Sequence, residues 1–68
     1  MGTITLDAAR AWLMALPIPC YRDIKNTDGS LAFILIRHDW NNFTLGQFSD
    51  WTFEEVAFWL STEDITLN

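Results

Sequence analysis

The sequence predicts a single small α+β domain ordered α-β-β-β-α, a three-stranded antiparallel meander with two helices packed on one face. Three observations carry that prediction. Apolar residues recur at helical spacing near each end of the chain, a capping box opens the second of these segments, and an Asp-Gly turn separates two strand-like runs between them.

Thr5 caps the first predicted helix, whose inward stripe is Leu6, Ala9, Leu13 and Leu16 with Trp12 beside it. Asp7 in its first turn suits the positive end of the helix dipole. Pro17 disfavours helical geometry at Leu16, and Pro19 keeps the chain extended toward Tyr21. Tyr21 to Asn26 reads as a short strand and Asn26-Thr27-Asp28-Gly29 as the turn that follows, because glycine accepts a positive φ at little cost. Leu31 to Ile36 is apolar at every position and reads as the central strand. Asp39 to Asn42 supplies the next turn and Phe43 to Phe48 the third strand, with Gly46 as a bulge within it.

Thr52-Phe53-Glu54-Glu55 is a capping box: the Thr52 hydroxyl accepts from the Glu55 amide while the Glu55 carboxylate reaches back. Phe53, Val56, Ala57 and Leu60 then fall on one helical face. The same wheel leaves Glu54, Glu55 and Phe58 on the outer side, with Trp59 flanking the apolar stripe.

Composition sets limits on function. The chain has 68 residues, half of them apolar, with four Trp, five Phe and one Tyr. It is too apolar for disorder and too short for two domains, so residues 1–68 read as one compact unit. A chain of this size buries only roughly 60% of its unfolded surface, so stability rests on a few large side chains. Net charge is −5, and its distribution is uneven. Residues 1–38 hold Arg10, Arg22, Lys25 and Arg37 against Asp7, Asp23 and Asp28. Residues 39–68 hold Asp39, Asp50, Glu54, Glu55, Glu63 and Asp64 with no Lys or Arg. Four scattered cations do not form a phosphate-gripping footprint, which argues against direct nucleic-acid binding; an acidic surface favours basic partners.

Cys20 is the only cysteine, so no disulfide forms within the chain. Lack of a disulfide framework, of a basic-then-apolar leader and of any apolar run near the ~20 residues that span a bilayer predicts a cytoplasmic protein without membrane contact. No cofactor or metal site is expected, because His38, the single histidine, and Cys20 lack companions at ligand spacing. A Cys20–His38 nucleophilic pair needs the two within hydrogen-bond reach and a pocket for substrate, and a chain this small offers little room for one.

The outer side of the second helix is the more informative surface. Phe58 lies there amid carboxylates, an arrangement suited to a protein-binding anchor, unless the tail Ile65-Thr66-Leu67 covers it. Trp40, within the Asp39–Asn42 turn, is expected either to fold back over the open face of the sheet or to project as a second anchor. The candidate contact set is therefore Asp50, Glu54, Glu55 and Phe58, with Trp40, Glu63 and Asp64 as its outer members.

In size and one-sided acidity the chain resembles small phage-encoded inhibitors, anti-CRISPR proteins among them; the likeness rests on size and charge and involves no motif. It implies an inhibitor, not an enzyme, that blocks the basic nucleic-acid-binding surface of a larger host complex by bulk and charge. The alternative is a self-associating structural or accessory protein. Its interface would be Leu31, Phe33 and Leu35, or their alternating neighbours Ala32, Ile34 and Ile36. A homodimer is compatible with both.

Overall fold

The computed structural model describes residues 4–67. It runs α1 (Leu6–Ala15), β1 (Cys20–Asn26), β2 (Leu31–Asp39), β3 (Asn42–Leu45), β4 (Phe48–Trp51), α2 (Phe53–Thr62) and β5 (Ile65–Thr66). The strands form one antiparallel sheet in the order β4-β3-β2-β1-β5. The α+β class agrees with the sequence reading, but the sheet has five strands where three were expected.

Both additional strands lie at the edges, and each has a local cause. Gly46 adopts φ 62°, a left-handed conformation that ends β3 and starts a turn, so the segment expected as one strand becomes the β3–β4 hairpin. The Gly46 amide donates to the Ile34 carbonyl of β2 at 2.8 Å and ties the turn to the sheet. At the other edge Ile65 pairs with Asn26 and Thr66 with Lys25. The tail therefore extends the sheet and leaves Phe58 uncovered, 63% exposed.

The predicted caps are present. Thr5 Oγ1 accepts from the Ala8 amide at 3.1 Å, and α1 stops where Leu16 turns extended ahead of Pro17. At α2 both halves of the capping box form: Thr52 Oγ1 accepts from Glu55 N at 3.2 Å, and Glu55 Oε1 accepts from Thr52 N at 2.9 Å. The Asn26–Gly29 turn closes with Gly29 N donating to Asn26 O at 3.0 Å, Gly29 taking φ 94°.

Register decides which side of each strand is buried. Opposed residues share a face, and Ile24 opposes Phe33, Leu35 opposes Leu45, and Arg37 opposes Phe43. Ile24, Leu35, Phe43 and Leu45 join Ala9 and Leu13 of α1 and the Phe53, Val56, Ala57, Leu60 stripe of α2 in one cluster, so both helices lie on one face, as expected. Tyr21, Ile34 and Ile36 alternate to the opposite face, where Tyr21 is exposed and the two isoleucines are half-buried.

Arg37 lies in the helix-side core with only 1% exposure. Its Nη1 donates to the carbonyls of Leu13 and Leu16, both at 2.8 Å, while Nε and Nη2 reach Asp39 O at 3.4 Å and Trp40 O at 3.3 Å. The last turn of α1 contains no basic residue. Arg37 brings that positive charge from β2 to the negative end of the α1 dipole. It supplies a donor to the C-cap Leu16 carbonyl and a second one to the Leu13 carbonyl, which also accepts from the Leu16 amide at 3.2 Å.

Candidate functional site

The apolar stripe of α2 stops short of Trp59, whose indole turns toward the β3–β4 hairpin. There Trp59 meets Phe33 of β2 edge-on, with ring centroids 4.5 Å apart at 78°, and Trp51 of β4 at 6.2 Å and 69°. These three rings, together with Leu45, Gln47 and Phe48, enclose most of a half-open groove of about 220 Å³. Phe48 forms its outer wall and is 69% exposed. Gln47 is the one polar side chain at the lip, and no carboxylate or cation lines the groove.

The groove exists because of two irregularities in the third quarter of the chain. Gly46 reverses the strand, and β4 then carries an extra residue where its pairing passes from Leu45–Phe48 to Phe43–Trp51. Asp50 lies in that bulge with φ 67°, unusual for a residue with a side chain. The extra residue sets Trp51 opposite Phe43, on the helix side of the sheet.

The predicted contact residues divide into two groups. Asp50, Glu54 and Glu55 gather around the N-terminal end of α2. Glu63 and Asp64 lie beyond its other end, about 15 Å along a ten-residue helix. Several also have structural duties. Glu54 Oε1 accepts from Arg10 Nη2 at 2.9 Å and Nε at 3.2 Å, tying α2 to α1. Glu55 completes the capping box, Glu63 is the C-cap residue of α2, and Asp64 accepts from Thr27 Oγ1 at 3.2 Å. Phe58 projects outward with no such duty.

Trp40 does not cover the open sheet face. It stacks on Phe53 with ring centroids 5.8 Å apart and planes within 11°, and the Arg37 guanidinium lies 5.1 Å from its ring centre. Trp40 thus folds back toward the first turn of α2 while remaining 56% exposed. The turn is held there by Asn41 Oδ1, which accepts from the Phe53 amide at 2.7 Å. A free helix N-terminal N–H draws the loop to the helix.

Cys20 and His38 lie on opposite faces. Cys20 opposes Arg37 and packs against the core, whereas His38, one residue further, shares the other face with Thr44, its Nε2 2.6 Å from Thr44 Oγ1. Among the described residues no group of three or more His, Cys, Asp or Glu side chains is placed to hold a metal ion, and no helix is long and apolar enough to cross a membrane.

No protein-family model matches the chain, and neither does any curated protein or solved structure. The class of protein is therefore defined by its own architecture: a small acidic α+β domain with an aromatic groove between one helix and an edge hairpin. The residues that form the groove escaped the sequence reading, which placed only Trp59 near the boundary of the stripe. Phe33 comes from β2 and Phe48 and Trp51 from opposite ends of β4, and their convergence depends on a turn and a bulge that alternation alone does not reveal.

Proposed function

We propose that this protein is a binding domain that docks on a basic surface of a larger partner and acts by occupying it. One observation carries the reading: charge is sorted between surface and interior. Eight of the nine carboxylates belong to exposed residues and Glu63 is half-buried, whereas Arg37 is withdrawn into the core. Arg10 is engaged by Asp7 and Glu54. Among the described residues this leaves Arg22 and Lys25, both on β1, as the exposed cations outside an ion pair. The exposed protein is more acidic than its composition, and Phe58, Phe48 and Trp40 stand exposed on it. A partner with basic and apolar patches gains both steering and contact area from such a surface.

The specific form we propose is inhibition of a nucleic-acid-handling complex, in the manner of phage-encoded inhibitors, with carboxylates of α2 and its flanks occupying the place of phosphates. The test is capture of partners by the tagged protein from nuclease-treated bacterial lysate at low and high salt. The comparison is with an Asp50→Asn/Glu54→Gln/Asp64→Asn variant and with Phe58→Ser. Asn tolerates the left-handed conformation at position 50, so the first variant removes charge without disturbing the bulge. The expected result is a basic nucleic-acid-binding complex recovered at low salt, depleted at high salt and depleted by both variants. Recovery of the bait alone, or of the same partner by every variant, overturns the reading.

A second reading has its own support in the opposite face of the sheet, where Tyr21, Ile34 and Ile36 adjoin the 55%-exposed Leu31 of the β1–β2 hairpin. Of the two alternating sets, Leu35 is buried and Phe33 and Ala32 pack against the core, so Leu31, Ile34 and Ile36 are the members left for another copy. A stable dimer needs about 800 Å² from each partner, a substantial share of a 4165 Å² surface. Sedimentation equilibrium across concentration, with Ile34→Lys as the disrupting variant, tests it.

A further inference from the structure

The docking reading leaves open what the aromatic groove does, and the groove's size and lining narrow its occupant. Drug-sized ligands and cofactors occupy cavities of roughly 300–1,000 Å³, whereas this groove measures about 220 Å³ and is half-open. That volume suits one large side chain and not a whole metabolite. Its walls are aromatic and aliphatic, with Gln47 the sole polar side chain and no carboxylate to meet a buried cation. An ammonium group would lose its water there with only ring faces in exchange, whereas an apolar side chain loses nothing.

The surroundings differ from the lining. Asp50 precedes Trp51 in β4, Glu55 lies four residues before Trp59 on α2, at the spacing that places helical side chains on one face, and Glu63 is the C-cap residue that ends the helix after Trp59. All three carboxylates thus flank the groove-forming tryptophans along the chain, and no Lys or Arg occurs from His38 onward. An apolar cleft with an acidic surround matches an apolar residue with basic neighbours.

Resting on the docking reading above, we propose that this groove seats a single large apolar side chain of the partner, presented in a segment with Lys or Arg on either side. Phe48, Trp51 and Trp59 clasp the anchor, and the flanking cations meet the surrounding carboxylates. Exposed aromatic walls of this kind are where binding energy concentrates at interfaces.

The test uses the intact protein and a capped peptide, Lys-Lys-Leu-Lys-Lys, titrated at low salt while the indole N–H signals of Trp51 and Trp59 are followed by NMR. The expected result is a saturable shift of both signals. Replacing the peptide's Leu by Ser should weaken binding by about tenfold, the value of burying one such side chain. Replacing its Lys residues by Glu should weaken it by about threefold or more. In the protein, Phe48→Ser removes the exposed wall without touching the core and should weaken the Leu peptide by about tenfold. Gln47→Lys, at an exposed turn position, should invert the preference between Lys-flanked and Glu-flanked peptides. The proposal is overturned by equal shifts with the Leu and Ser peptides, by no saturable shift, or by a trimethyllysine peptide binding as well as the Leu peptide. Because the titration needs no cellular partner, its failure is separable from failure of the docking reading, which the salt-dependent capture decides.

Discussion

Arg37 is the one buried charge among the described residues, and its surroundings hold no carboxylate within ion-pair distance. Four backbone carbonyls and the faces of Trp40 and Phe43 solvate it instead, the ring centres lying 5.1 and 5.5 Å from its guanidinium carbon. The planar fork reaches the end of α1 and the β2–β3 turn at once, a geometry that a lysine ammonium cannot reproduce. Arg37→Met should therefore destabilise the fold by about 2–4 kcal/mol by leaving buried carbonyls unpaired, and Arg37→Lys should recover little of it. Urea denaturation of the three proteins measures this; full recovery by lysine would show that charge alone suffices. A second residue-scale prediction concerns Asp28, whose Oδ1 accepts from the Ser30 hydroxyl at 2.6 Å and the Ser30 amide at 2.9 Å. The Ser30 hydroxyl, then its amide, hold the Asp28 carboxyl below the usual aspartate range. A lowered folded-state value means the carboxylate favours the folded turn above the unfolded pKa, and that contribution is lost as pH falls through the folded value. In an NMR titration Asp28 should be among the last aspartates to protonate, and Ser30→Ala should raise its midpoint.

At the scale of elements, the two helices and the three hairpins differ in how locally they are determined. The α2 cap is local: Thr52→Ala removes one side of the box and should cost about 1 kcal/mol in thermal or chemical denaturation. The β3–β4 hairpin depends on Gly46. A Cβ there would meet only the Phe33 Cβ at 4.0 Å, ordinary contact, so the burden of substitution is the positive φ. Gly46→Ala should cost about 1–2 kcal/mol and Gly46→Asn less, because Asn visits the left-handed region more readily. Equal stabilities would mean that the turn relaxes to another type. The same variants should broaden or shift the Trp51 and Trp59 indole signals, since the turn sets the hairpin wall of the groove.

At the scale of the whole molecule, nine carboxylates share a body measuring 30 × 23 × 18 Å. At about 0.01 M salt the screening length is roughly 30 Å, so every carboxylate feels every other; at 0.1 M it is about 10 Å and only neighbours interact. Net self-repulsion destabilises a compact acidic protein. The melting temperature should therefore rise between these two salt concentrations in sodium chloride, against a small opposing loss at the exposed Arg10–Glu54 pair. A flat or falling melting temperature would show that the carboxylates are held by local partners and not by the overall field. Binding to a basic partner should show the opposite salt dependence, which separates the two effects in one buffer series.

What the sequence determined by itself is whatever short-range chemistry controls: the α+β class, both helix caps, the Asn26–Gly29 turn and the apolar stripe of α2. Each depends on residues within about one helical turn or one hairpin of each other. Tertiary structure alone decided the rest. Gly46 as a turn and not a bulge requires β4 to pair back on β3, and Ile65 as a strand residue requires the bare edge of β1 at Asn26. Arg37 finds its carbonyl acceptors 21 and 24 residues away, which no local pattern records. The groove draws Phe33, Phe48, Trp51 and Trp59 from three elements, and the acidic residues divide between the two ends of α2. These outcomes follow from packing, where a side chain's role is set by the neighbours that the folded chain brings to it.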